Sequence, residues 1–233
     1  MSENHSSLPV SEAGQLRGRL AAALLCLGVA APAAEAATPH EGGGLAELGL
    51  VLGAKTGASF GQAFSELGTS FVGELEIGYT LPLPAPLGRD FEILLALQYA
   101  GPSAEGTGSP DERLPAGAAL DYELTEQQLV LTLAALYRVP IGSDLIRPYV
   151  AAGVRSYFLR TEIEASAEGE AFGAHEETAT SLGPYGALGG ELFLGPGALL
   201  LELQVGYATL DGTIFADHNV GALNTVLGYR LFL

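Results

Sequence analysis

Ser70–Leu81, SFVGELEIGYTL, decides how this chain is read. Phe71, Leu75, Ile77, Tyr79 and Leu81 fall on alternate positions, with Glu74, Glu76 and Thr80 between them. Side chains on an extended strand point to opposite faces in turn, so one face is apolar and the other carries carboxylates. Phe91–Tyr99 (FEILLALQY) and Leu199–Tyr207 (LLLELQVGY) repeat the pattern. A soluble sandwich turns its apolar face inward. Here a secretory leader precedes the strands and the chain ends on one. That reverses the sense to apolar out and polar in, as in a membrane-spanning β-barrel.

The leader is residues 1–36. Arg17 and Arg19 precede the apolar run Leu20–Ala31, and small residues end at Ala34-Glu35-Ala36, a charged region, an apolar region and an A-x-A cleavage site. Cys26, the single cysteine, sits inside that run behind Leu25 rather than behind a small residue. Cleavage leaves a cysteine-free chain, excluding disulfides, thiol catalysis and cysteine-ligated metals. Past the leader no stretch approaches the ~20 consecutive apolar residues of a spanning helix. The formal net charge of −17 argues against nucleic acid as a partner, because phosphates would repel it.

Residues 37–233 form one domain of eight strand-like segments: Leu45–Lys55, Ser70–Leu81, Arg89–Tyr99, Leu120–Val139, Pro148–Ile163, Thr178–Leu194, Ala198–Leu210 and Val220–Leu233. Three connections are short and rich in Pro or Gly (Pro82–Gly88, Pro140–Arg147, Gly195–Gly197), residues that preset or permit turn dihedrals. The other four, Thr56–Thr69, Ala100–Ala119, Glu164–Glu177 and Asp211–Asn219, are longer and more polar. Long and short connections alternate. The fold expected is therefore all-β, an eight-stranded antiparallel up-and-down transmembrane barrel. Both termini and the short turns face the periplasm, and the long acidic loops face outside.

An eight-stranded barrel is just wide enough for side chains to fill it. Its inward charges should be Glu47, Glu74, Glu76, Glu92, Arg138, Arg155, Glu191, Glu202 and Arg230, joined by Gln98, Gln204 and Asn224. Arg155 belongs to this set if the fifth segment turns Tyr149, Gly153 and Arg155 inward, a phase chosen because arginine at the lipid midplane costs about 2–4 kcal/mol. Enclosed carboxylates must be paired, hydrated or protonated. The arginines offer bidentate partners, so a rigid plug is the first reading. A narrow path, biased towards cations by the excess of glutamate, is the second.

Other material for chemistry is thin. Thr161–Thr178 holds six glutamates and His175 but no Asp-x-Asp-x-Asp-Gly spacing, so it reads as solvated carboxylates rather than a calcium loop. Asp217 and His218 are adjacent on a strand and point apart. His175 with Ser181 is the remaining combination for an outer-leaflet lipid deacylase or acyltransferase, the alternative to a non-enzymatic barrel. No catalytic residue, cofactor or metal is assigned.

The final segment, NTVLGYRLFL (Asn224–Leu233), carries Gly228, Tyr229, Leu231, Phe232 and Leu233, where Gly228, Leu231 and Leu233 look like the Gly-x-x-apolar-x-apolar insertion signal that ends outer-membrane barrels. With Pro148–Val154 and Gly183–Glu191, the chain after Ala36 resembles the small eight-stranded outer-membrane barrels of the OmpA, OmpX and OmpW kind. The resemblance implies outer-membrane location and insertion by the barrel-assembly machinery, and it carries no catalytic residues over. The partners it implies are membrane lipids and lipopolysaccharide around a monomer. The work expected is structural or surface interaction, or passage of small or apolar solutes.

Overall fold

A computed structural model describes residues 49–63, 67–84, 90–107, 121–143, 145–167, 170–210 and 218–233. The leader and Glu47 lie outside the described residues. The strands are β1 (Leu50–Phe60), β2 (Thr69–Thr80), β3 (Phe91–Ala100), β4 (Ser103–Thr107), β5 (Asp121–Arg138), β6 (Ile146–Ala167), β7 (Glu170–Leu194), β8 (Gly197–Gly206), β9 (Thr209–Leu210), β10 (His218–Asn219) and β11 (Leu223–Phe232).

Eight of these close a barrel. The hydrogen-bonded order β3-β2-β1-β11-β8-β7-β6-β5 is completed by β3 pairing with β5, and each of these ladders is antiparallel. β4 continues the line of β3 along the upper part of β5, while β9 and β10 pair with each other. Closure removes the sheet edges that lipid could not satisfy.

The alternation has the sense expected for a membrane. Leu75, Leu201 and Leu182 are 64%, 59% and 67% exposed, whereas Glu74, Glu92 and Glu202 are buried. Tyrosine and phenylalanine supply both aromatic girdles in a chain without tryptophan. Tyr79 and Tyr229 mark the end with the short turns, while Phe71, Tyr99, Phe158 and Tyr207 mark the end with the long hairpins.

Several segments differ from the sequence expectation. β4 (Ser103–Thr107) lies inside the expected loop Ala100–Ala119, where it pairs with Asp121–Thr125 of β5. β1 runs five residues past Lys55 to Phe60, into what reads as loop, because each residue of Leu50–Phe60 has a partner on β2. Its outward positions Ala54, Thr56 and Ala58 are small, so the apolar stripe fades there while the ladder continues. The stretch expected as loop at Glu164–Glu177 is also mostly strand, with β6 reaching Ala167 and β7 starting at Glu170. It is held by pairings such as Glu162↔Glu176 and Asp121↔Ser166. The ladder shifts register between Glu164 and Ser166, opposite Gly173 at φ +97°, a bulge conformation that glycine adopts without strain.

β4–β7 therefore extend as a four-stranded sheet above the apolar belt. The belt ends at Leu129 and Phe158, and the next outward pair is Gln127↔Arg160. From Leu129 to Asp121 the sheet rises about 25 Å at ~3.3 Å per residue. Its carboxylates include Glu105, Asp121, Glu123, Glu162, Glu164 and Glu176, against one cation, Arg160, among the described residues.

Candidate functional site: the charged lumen

Strand pleat alone puts every second residue inside, and closure then brings inward residues of distant strands together. Among the described residues, ten ionisable Lys, Arg and Glu side chains are buried there: Lys55, Arg138, Arg155 and Arg230 against Glu74, Glu76, Glu92, Glu126, Glu191 and Glu202, none more than 6% exposed. Each of the eight barrel strands contributes at least one member of a continuous polar network.

Lys55 of β1 is its hub. The Nζ lies 2.8 Å from Glu74, 2.7 Å from Glu76 and 3.0 Å from Glu202. Arg230 of β11 donates through Nε and Nη2 to the two Glu76 oxygens, and through Nη1 to Glu191 at 2.7 Å. Arg138 closes the short-turn end, donating to Glu92 at 2.6 Å and to both Glu191 oxygens at 2.7 and 3.1 Å. Phe232 lies beneath it, 5.4 Å from ring centroid to guanidinium carbon, and stacks on Phe193. Arg155 points inward, donating to Gln204 at 2.6 Å and Thr132 at 3.0 Å, with its guanidinium 4.2 Å from the Tyr185 ring centroid. The Tyr149 hydroxyl donates to Glu202 at 2.7 Å, and Gln204 donates to Glu74 and Glu202. Charged pairs with several such bonds each are the form in which buried ions are tolerated.

Many of these bonds reach over an intervening strand, and that strand carries glycine where the crossing is closest. A β-carbon on Gly53 of β1 would overlap Glu76 Oε1, and one on Gly189 of β7 would overlap the Tyr149 ring. On Gly228 of β11 it would sit 2.8 Å from Lys55 Cγ. These glycines clear the path for the crossing side chains.

Of the residues singled out in the sequence, Glu74, Glu76, Glu92, Arg138, Arg155, Glu191, Glu202 and Arg230 meet in this network, with Gln98 and Asn224 on its flank. The terminal segment divides between faces. Tyr229 and Leu233 are exposed, while Gly228 and Phe232 serve the interior.

Sequence reasoning missed Lys55, Glu126 and the hydrogen-bonding role of Tyr149. Lys55 was legible in principle, since it keeps the two-residue period of Val51 and Ser59 and a lysine facing lipid would be costly. Glu126 sits above the belt, fully buried, accepting hydrogen bonds from Gln128 at 2.5 Å and Thr161 at 3.3 Å, with no cation among its partners in the described residues. Burial pushes its carboxyl above the ordinary value.

His175 and Ser181 are not brought together. His175 and Ser181 lie on one strand six residues apart, about 20 Å at ~3.3 Å per residue. The Ser181 hydroxyl donates to the Thr209 carbonyl at 2.6 Å. Asp217 and the His218 side chain lie outside the described residues.

Among curated proteins no sequence matches the chain. Solved structures that are similar include Neisserial surface protein A, with 16% identity, 79% of this chain and 97% of that one covered, and TM-score 0.44. The N-terminal β-barrel domain of Pseudomonas aeruginosa OprF matches at 16% identity, with 80% and 98% covered and TM-score 0.40. A major outer membrane protein from Thermus thermophilus matches at 15% identity, with 78% and 99% covered and TM-score 0.48. The family model described as the outer membrane protein beta-barrel domain matches residues 20–230. The chain belongs to the outer membrane protein beta-barrel domain family.

Proposed function

We propose that this protein is a non-enzymatic, non-conducting barrel of the outer membrane whose work is done at the cell surface by the sheet that β4–β7 carry above the belt. On this reading the termini and short turns lie in the periplasm. The lipid-facing belt contacts membrane lipids and lipopolysaccharide around a monomer. The observation that carries the reading is the side-chain network, which draws members from all eight strands across the lumen with direct bonds rather than lining an open bore. Plugged barrels of this width conduct poorly because no water column spans them.

The test is conductance of the refolded protein in planar bilayers. The expected record is a flat baseline at moderate voltage. Cation-selective steps comparable to those of a small porin would overturn the non-conducting reading, since the excess of lumenal carboxylates predicts that selectivity for any open path. The non-enzymatic part is checked separately with a His175→Ala/His218→Ala variant. It should insert normally and leave the cell's lipid profile equal to that of the wild type. Lipid acylation or deacylation by the wild type, lost in the variant, would refute it.

A further inference from the structure

Seven of the eight barrel ladders join strands that follow one another around the chain. The eighth, β1 with β11, joins the first strand to the last, with Val51 opposite Phe232. Closing the ends of so long a segment carries the largest loop-closure entropy in the barrel. No turn ties these two strands together.

Two ionic bridges straddle this seam. Arg230 stands on β11 and grips Glu76 of β2, whose side chain lies over Gly53 of the intervening β1. Lys55 stands on β1 and reaches over β11, its stem lying above Gly228, to grip Glu202 on β8 at 3.0 Å. Each bridge fastens one seam strand to the strand beyond the other. Parting β1 from β11, or sliding one along the other, stretches both at once.

We propose that Lys55–Glu202 and Arg230–Glu76 form a crossed latch that holds the barrel closed at its first-to-last seam. The two residues at the root of the latch are themselves close in the ladder, with Lys55 opposite Gly228 and Arg230 opposite Gly53. The glycines are thus the register partners of the latch cations. A one-residue slip would put a lipid-facing side chain under each cation and turn the cation outward. The latch therefore selects register as well as closure. This inference is independent of whether the lumen conducts or of what the surface sheet binds.

The test is amide hydrogen exchange on the full chain, in a Cys26→Ser background, folded in micelles. Arg230→Met/Glu76→Gln removes one arm without stranding a charge, because Glu191 keeps Arg138 and Lys55 keeps Glu74 and Glu202. The control, Arg138→Met/Glu92→Gln, removes a buried bridge between β3 and β5, which are neighbours away from the seam. In the latch variant, amides of β1 and β11 should exchange about tenfold faster or more while the β5–β6 ladder stays protected, as for a local opening. Because Arg138 also rests on Phe232 at the short-turn end, the control is read from Lys55 to Phe60 and Leu223 to Gly228, where it should spare the seam. Uniform acceleration of both ladders, or none, would overturn the latch.

If the latch variant fails to fold, cysteines at Ala54 and Tyr229, outward register partners across the seam, provide the second measurement. Folding recovered on oxidation supports the proposal. Failure to fold with the disulfide formed refutes it.

Discussion

Replacing Lys55 with methionine tests the plug at its hub, because methionine keeps most of the buried stem and deletes only the charge. Three carboxylates surround the Nζ within 3.0 Å. Glu76 retains Arg230, but Glu202 is left with Arg230 at 3.7 Å and Glu74 with Arg155 at 3.8 Å. Removing one member of a buried ion pair costs about 3–5 kcal/mol. The residual partners and the amide of Gln204 place this case near the lower end, about 3 kcal/mol. For a chain of this size that lowers the melting midpoint by about 6–12 °C. The assay is heat-modifiable mobility on gels after graded heating in detergent. The double variant Lys55→Met/Glu202→Gln removes a stranded carboxylate as well while leaving Arg155 its Glu74, and should recover most of the loss, since a buried ion pair and a neutral pair of similar shape are close in stability. A Lys55→Met midpoint equal to the wild type would show that these carboxylates are hydrated independently. A double variant as unstable as the single would show that packing, not charge, is the cause.

Gly53→Val should destabilise the barrel as strongly as Arg230→Met, because its side chain occupies the path between Arg230 and Glu76; combining the two should add little, and additive losses in urea-induced unfolding would contradict the shared path. Burial raises the Glu126 carboxyl above its ordinary 4.5, so the folded state binds its proton more tightly than the unfolded chain does. Its stabilising contribution is full below the ordinary value and is lost as pH rises through the raised one. Glu126→Gln should therefore raise the unfolding midpoint at pH 8 and leave it unchanged near pH 4; a gain of equal size at both would point to packing instead. Glu105, Glu123 and Glu164 face one another directly across β4, β5 and β6, where like charges repel. Glu123→Gln should slow proteolysis of the projecting sheet at low salt and have little effect at high salt, where repulsion is already screened.

The period-two alternation of Ser70–Leu81 and its counterparts, read together with the leader and the terminal strand, was enough to determine an apolar-out barrel, because the pleat assigns a face to every residue from its position alone and the membrane fixes which face is inside. The same rule places Glu74, Glu92 and Glu202 inside before any neighbour is known. It does not fix where a strand ends when its outward residues are small, as on β1, or when a polar hairpin keeps pairing above the membrane, as on β6 and β7. There the partner strand decides, and partnership is a property of the closed sheet. Nor does alternation say which charge meets which. Lys55 lies 147 positions from Glu202, and Arg230 lies 154 from Glu76. Only closure of the barrel brings those pairs within bonding distance, over glycines whose purpose is invisible until a side chain crosses them. What a residue faces is local information carried by the strand; what it touches is set by the fold, because a contact requires two backbones to arrive at one place.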